Sequence, residues 1–190
     1  MSFGQVTDQQ ACAIQPFILG RVVHDLGCGD QYLSKRLVAW GAKTVIAVDK
    51  DPYGYDPGPK VITVAETFER YLKMRPIIDV AFISWPTNSH LSFRGVENPT
   101  YALLRLVISA ARVVYLGKNT DGIICGHPHL FRHLVRRPLL AHVPDEFNTL
   151  LAYDAGTVTR EPVLEEQAGM DMSRVYRSVP AKCPAEAEET

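Results

Sequence analysis

Arg21-Val-Val-His-Asp-Leu-Gly-Cys-Gly-Asp30 is the stretch whose reading decides the fold. Val22 and Val23 are β-branched and suit a buried strand. Gly27 and Gly29 follow at once, and a helical pattern starts near Tyr32. A second strand, Thr44-Val-Ile-Ala-Val48, ends on Asp49. A strand, a glycine-rich turn, a helix and a second strand tipped with a carboxylate make the front half of a nucleotide-binding α/β fold. Two glycines alone would fit an ordinary tight turn. The whole arrangement asks for more.

The turn narrows the ligand. A dinucleotide turn reads G-x-G-x-x-G, and its third glycine lets helix pack closely on strand. Counting from Gly27 places Tyr32 there, which argues against a nicotinamide-dependent oxidoreductase. Asp25-Leu-Gly-Cys-Gly-Asp-Gln31 instead resembles motif I of the class I S-adenosylmethionine-dependent methyltransferases, D/E-x-G-x-G-x-G, with Gln31 in place of the last glycine. The resemblance implies an S-adenosyl-L-methionine cofactor. Asp25, Gly27, Cys28 and Gly29 would line its site, with the two glycines beside the methionine part. Asp49 matches the acid that holds the ribose. Lys50 would lie along the adenine through its alkyl stem. Glu66 matches an acid facing the adenine amino group, or else it is a helix-start residue favoured by the dipole.

Length and composition suit one domain. At 190 residues the chain can bury a sizeable core. Formal net charge is −1, so no broad electrostatic footprint for nucleic acid appears. Locally, Arg105, Arg112, Lys118, Arg132, Arg136 and Arg137 face only Asp121 over the same stretch. The cysteines at 12, 28, 125 and 183 lack C-x-x-C spacing and suit a reducing compartment. Cys125-Gly-His-Pro-His129 has no second cluster to complete a metal site, so no metal is expected. No signal peptide and no membrane-length apolar run is evident, and a cytoplasmic protein is the expectation.

Along the chain, Thr7 or Asp8 caps a leading helix that Pro16 should kink or end. Strands are expected at 21–26, 44–48, 61–64, 77–84 and 113–116, with helices at 32–40, 66–74, 98–111 and 130–136 between or after them. The apolar strand at 77–84 should be central. Asp51-Pro-Tyr-Gly-Tyr-Asp-Pro-Gly-Pro59 is rich in turn formers, so the second crossover should lack a helix. Strands 139–143 and 149–153, joined by a short turn, should form an antiparallel hairpin. The expected architecture is an α/β Rossmann-like class I methyltransferase sandwich, with a mostly parallel sheet and an antiparallel C-terminal hairpin. One domain should span 1–178, followed by a disordered tail at 179–190.

Ligands of open parallel sheets bind at the carboxyl ends of the strands. That rule selects four places, 25–31, 49–51, 65–67 and 84–90, and the resemblance makes the last, Ser84-Trp-Pro-Thr-Asn-Ser-His90, the candidate acceptor loop. Amino-methyltransferases carry D/N/S-P-P-Y/F/W here. Trp85 stands where the first proline should be and Thr87 where the aromatic should be, which argues against adenine or cytosine as target. Ser84, Trp85 and Asn88 are the candidate catalytic residues, and Ser84 also borders the cofactor. Lys118, Asn119 and Thr120 would form the opposite wall. His24 should be a satisfied buried histidine, and His127, His129 and His133 should face solvent. The expected acceptor is a small molecule or small protein segment, with no strong nucleic-acid signal and no membrane. The competing reading is a non-catalytic domain of the same fold that binds S-adenosylmethionine or S-adenosylhomocysteine.

Overall fold

The first helix, α1 (Asp8–Ile18), opens on a capping box in which Thr7 and Gln10 bond each other's backbone amides. Pro16 does not end it. The helix continues for another half turn, because Ile14, Phe17 and Ile18 are buried against the sheet and hold the last turn in place. The computed structural model describes residues 6–54, 56–86, 99–118, 128–145 and 148–154.

The strands are β1 (Val22–Leu26), β2 (Thr44–Asp49), β3 (Val61–Ala65), β4 (Val80–Ser84), β5 (Arg112–Gly117), β6 (Leu139–Pro144) and β7 (Thr149–Tyr153). They form one sheet in the order β3-β2-β1-β4-β5-β7-β6. The first five run parallel, and β7 is antiparallel to both β5 and β6. The sheet is thus mostly parallel with an antiparallel C-terminal hairpin, as the alternation of patterns implies. β4 is the middle strand, and its residues from Val80 to Ile83 are fully buried. Strands buried on both faces read as continuous apolar runs.

Helices cover both faces. α1 and α2 (Tyr32–Ala39) pack on one through Ile14, Ile18, Leu33 and Leu37. α3 (Phe68–Lys73), α4 (Pro99–Ser109) and α5 (Pro128–Leu134) pack on the other through Tyr71, Leu104, Leu106 and Leu130. Alternation along β1 sends Val23 and Asp25 toward α2, and His24 and Leu26 toward α3. The segment between β2 and β3 carries no helix among its described residues. The expected boundary at 178, the tail at 179–190 and the Asn98 cap lie outside the described residues.

Candidate functional site

The chain runs outward from β1 to β2 and β3, then returns to place β4 on the other side of β1. Order reverses between β1 and β4, at the carboxyl ends of both strands. That is where ligands of such sheets bind. Asp25 is level with Phe82 across this pair, so the glycine turn after β1 lies beside Ser84 at the end of β4.

The turn is built from backbone bonds. Gly27 and Cys28 donate to the carbonyl of Val48, at 2.8 and 3.2 Å. Gly27 has φ 87° and Gly29 φ 49°, conformations that suit residues without a side chain. Asp49 holds the tip, since its Oδ2 accepts from Gly29 N at 3.0 Å and its Oδ1 from Asp51 N at 3.1 Å. The following loop docks on the same turn: Tyr53 N donates to Gly29 O at 3.0 Å. Gly54 lies so close that a Cβ there would stand 2.7 Å from Asp30 O. The pattern of the sequence marked residues 51–59 only as a loop. Their contact with the glycine turn has no local signal.

Asp25 lies beneath the turn with no exposed surface. Its Oδ2 accepts from the Ser34 hydroxyl of α2 at 2.6 Å, and its Oδ1 is buried with no partner. Burial pushes its pKa up to about 7, opposed by the Ser34 bond and reinforced by the nearby charges of Asp49 and Asp30. Cys28 is also buried, and burial, with the charges of Asp25 and Asp49, pushes its thiol pKa upward. Such a thiol stays protonated and is a poor nucleophile.

Glu66 is brought beside Asp49 by a backbone bond, Glu66 N to Asp49 O at 2.9 Å. It precedes Thr67, the N-cap of α3, and pairs with Arg70 at 3.5 Å. Lys50 is exposed next to Asp49. Ser84 and Trp85 are half-buried at the end of β4. Trp85 has φ 48°, its amide donates to Leu116 O at 2.8 Å, and its indole nitrogen is buried without a partner. A bulky residue in the left-handed region is a true outlier, of the kind that clusters at functional sites. Asn88, Asn119 and Thr120 lie outside the described residues, while Lys118 is exposed just beyond β5.

His24 is satisfied and buried: its Nδ1 meets the Tyr71 hydroxyl at 2.8 Å, and burial lowers its pKa. His133 corrects the expectation of a solvent-facing side chain. It is buried with α5, whose Leu130, Phe131 and Leu134 enter the core, and burial lowers its pKa to about 4. His127 and the side chain of His129 lie outside the described residues. Among the described residues no group of three or more His, Cys, Asp or Glu could hold a metal ion. No helix among them is long and apolar enough to cross a membrane.

No protein-family model matches the chain. No curated protein matches it either. Solved structures do. A candidate RNA methyltransferase from Pyrococcus horikoshii is 15% identical at TM-score 0.53, over 76% of this chain and 80% of that one. A candidate tRNA (m1A22) methyltransferase from Streptococcus pneumoniae is 14% identical at TM-score 0.52, over 83% and 73%. An rRNA methylase from Streptococcus thermophilus is 10% identical at TM-score 0.50, over 81% and 100%. The names of these neighbours point to RNA and correct the expectation of no strong nucleic-acid signal. That expectation rested on a net charge near zero and on the lack of a basic stripe in the sequence. In sheet order, strand direction and neighbours, the chain has the Rossmann-like fold of the class I methyltransferases.

Proposed function

We propose that this chain is an S-adenosylmethionine-dependent methyltransferase that acts on RNA. One observation carries the reading: the glycine turn, the carboxylate of Asp49 and the Ser84-Trp85 end of β4 meet at the reversal point of the sheet. The names of the fold's neighbours favour RNA as acceptor. Lys118, exposed just beyond β5, adds a positive charge at the carboxyl end of the strand next to β4.

The residues present fit the cofactor. Gly27 and Gly29 present bare backbone at positive φ, with Phe68 and Tyr53 the nearest side chains, 3.7 and 4.0 Å from where a Cβ would stand. The unpartnered oxygen of buried Asp25 is a polar atom in need of a partner. Asp49 keeps free lone pairs for ribose hydroxyls, since each carboxylate oxygen accepts more than one bond. Cys28, Lys50 and Glu66 complete the nucleoside side, and Ser84 borders both ligands. When bound, S-adenosylmethionine supplies an electrophilic methyl group on its sulfonium. The chain's part is placement: Ser84, Trp85 and Asn88 hold the acceptor in line, and the Trp85 ring keeps water away. Its left-handed backbone turns the chain away from the strand end at that point.

The test pairs binding with transfer. Calorimetry with S-adenosylhomocysteine and NAD should give a signal for the first alone. Labelled methyl groups should then enter total RNA, with counts lost on ribonuclease treatment. Binding of NAD alone rejects the reading. Binding of S-adenosylhomocysteine without transfer to any RNA points to the non-catalytic domain, which the unusual Gln31 and Trp85 would suit.

A further inference from the structure

Gln31 stands where the turn motif has its third glycine, and its backbone keeps a glycine-like shape with φ 60°. A glutamine in the left-handed region persists only where its surroundings hold it. Those surroundings are specific. Gln31 N donates to Cys28 O at 2.9 Å, and Gln31 O accepts from Lys35 N at 3.1 Å, so its backbone closes the turn and opens α2. Its side chain does not cap the helix. It reaches across to β3, where its Oε1 accepts from the Thr63 hydroxyl at 2.7 Å, and Gln31 is left 8% exposed.

Thr63 can be reached because of the shortened crossover. With no helix among the described residues between β2 and β3, Thr63 and Ala65 on this face of the edge strand are exposed. The fold itself has little need of the bond. β3 pairs with β2 through five backbone positions, and α2 is held to the sheet by Leu33 and Leu37. What the bond does fix is the residue two places after Gly29, whose amide Asp49 holds from the other side.

We propose that Gln31 and Thr63 form a positioning strut that takes over the work of the missing glycine, holding the turn ready for the adenosyl cofactor. Neither residue need touch the ligand. The inference rests on the proposed S-adenosylmethionine site and adds how this chain builds it.

The experiment uses the full chain and four variants, Thr63→Val, Thr63→Ser, Gln31→Gly and the double variant Gln31→Gly/Thr63→Val. The readouts are S-adenosylhomocysteine affinity, the melting temperature without ligand, and hydrogen exchange of the Gly29 amide without ligand. Thr63→Val should weaken binding about fivefold, the factor expected for one lost neutral hydrogen bond. Gly29 exchange should quicken while the melting temperature stays close to wild type. Thr63→Ser should restore both. Glycine at 31 adopts this backbone without support, so the double variant should bind like Gln31→Gly alone. Wild-type binding and Gly29 exchange in Thr63→Val overturn the strut while leaving the cofactor reading intact. An affinity loss matched by a large fall in melting temperature, or unrelieved by serine, also overturns it. Absence of binding by the wild type defeats the cofactor reading and this inference together.

Discussion

Asp49 holds the amide of Gly29 at 3.0 Å through one carboxylate oxygen, and the other oxygen accepts from Asp51 N at 3.1 Å. The carboxylate proposed to meet the ribose therefore also shapes the turn. Asp49→Ala removes charge-assisted bonds worth roughly 1.5–3 kcal/mol each. S-adenosylhomocysteine affinity should fall by about tenfold or more, read by calorimetry on a variant whose circular dichroism matches wild type. Unchanged affinity in that folded variant moves the ribose contact elsewhere.

Asp25 should leave a mark on stability against pH. Its pKa is about 7 in the folded chain and 3.8 in the unfolded reference, so the folded chain holds its proton to higher pH. The stability it contributes is full below about pH 4, declines as pH rises toward about 7, and is gone above. His24 and His133, buried neutral, act in the opposite sense by losing stability as pH falls through their unfolded value of 6.5. The difference between wild type and Asp25→Asn isolates the carboxyl. Denaturant midpoints measured from acid to neutral pH should show the variant gaining on wild type as pH rises. Parallel curves would show that Asp25 does not titrate in that window.

Gly54 is the point of closest approach between the second loop and the first. It has φ 99°, and a Cβ would meet Asp30 O at 2.7 Å. Both atoms of that contact are tied to backbone, so neither gives way easily. Gly54→Ala should cost about 1–3 kcal/mol in urea unfolding. A neutral result would mean that the loop can lift from the turn at no cost.

Arg137 closes the end of α4. Its Nη2 donates to the carbonyls of Val107, Ile108 and Ala110 at 3.0, 3.1 and 3.0 Å. Helix ends leave carbonyls unpaired, and a cation there also meets the negative end of the dipole. Arg137→Met keeps much of the apolar stem and strands those carbonyls. A loss of about 2–4 kcal/mol is expected from chemical unfolding, with little change in cofactor affinity. A loss below 0.5 kcal/mol, roughly the floor for one hydrogen bond, would show that water replaces the guanidinium.

Trp85 separates placement of the acceptor from binding of the cofactor. Trp85→Ala should leave S-adenosylhomocysteine affinity nearly unchanged while turnover on the RNA acceptor drops at least about tenfold. Equal turnover would shift the acceptor wall to Lys118 and the residues after it.

The sequence by itself determined the order of elements and the sense of the sheet. Those follow from local causes: the β-branched residues of β1 and β2, the glycines between them, the apolar run of β4, and the turn formers that leave no helix among the described residues between β2 and β3. It also indicated that Gly27, Gly29 and Asp49 would stand together, because all three lie at carboxyl ends of neighbouring parallel strands. Tertiary structure alone decided the partners. Gln31 meets Thr63, Asp25 meets Ser34, Tyr53 docks on Gly29, and His24 meets Tyr71. These pairs join different elements, and no period or spacing encodes them. The same holds for His133, drawn inside by its apolar neighbours on α5, and for Pro16, carried through a helix whose buried face outweighs one missing amide. Propensity acts over a few residues, whereas burial and pairing are settled only when the sheet closes and its faces are covered.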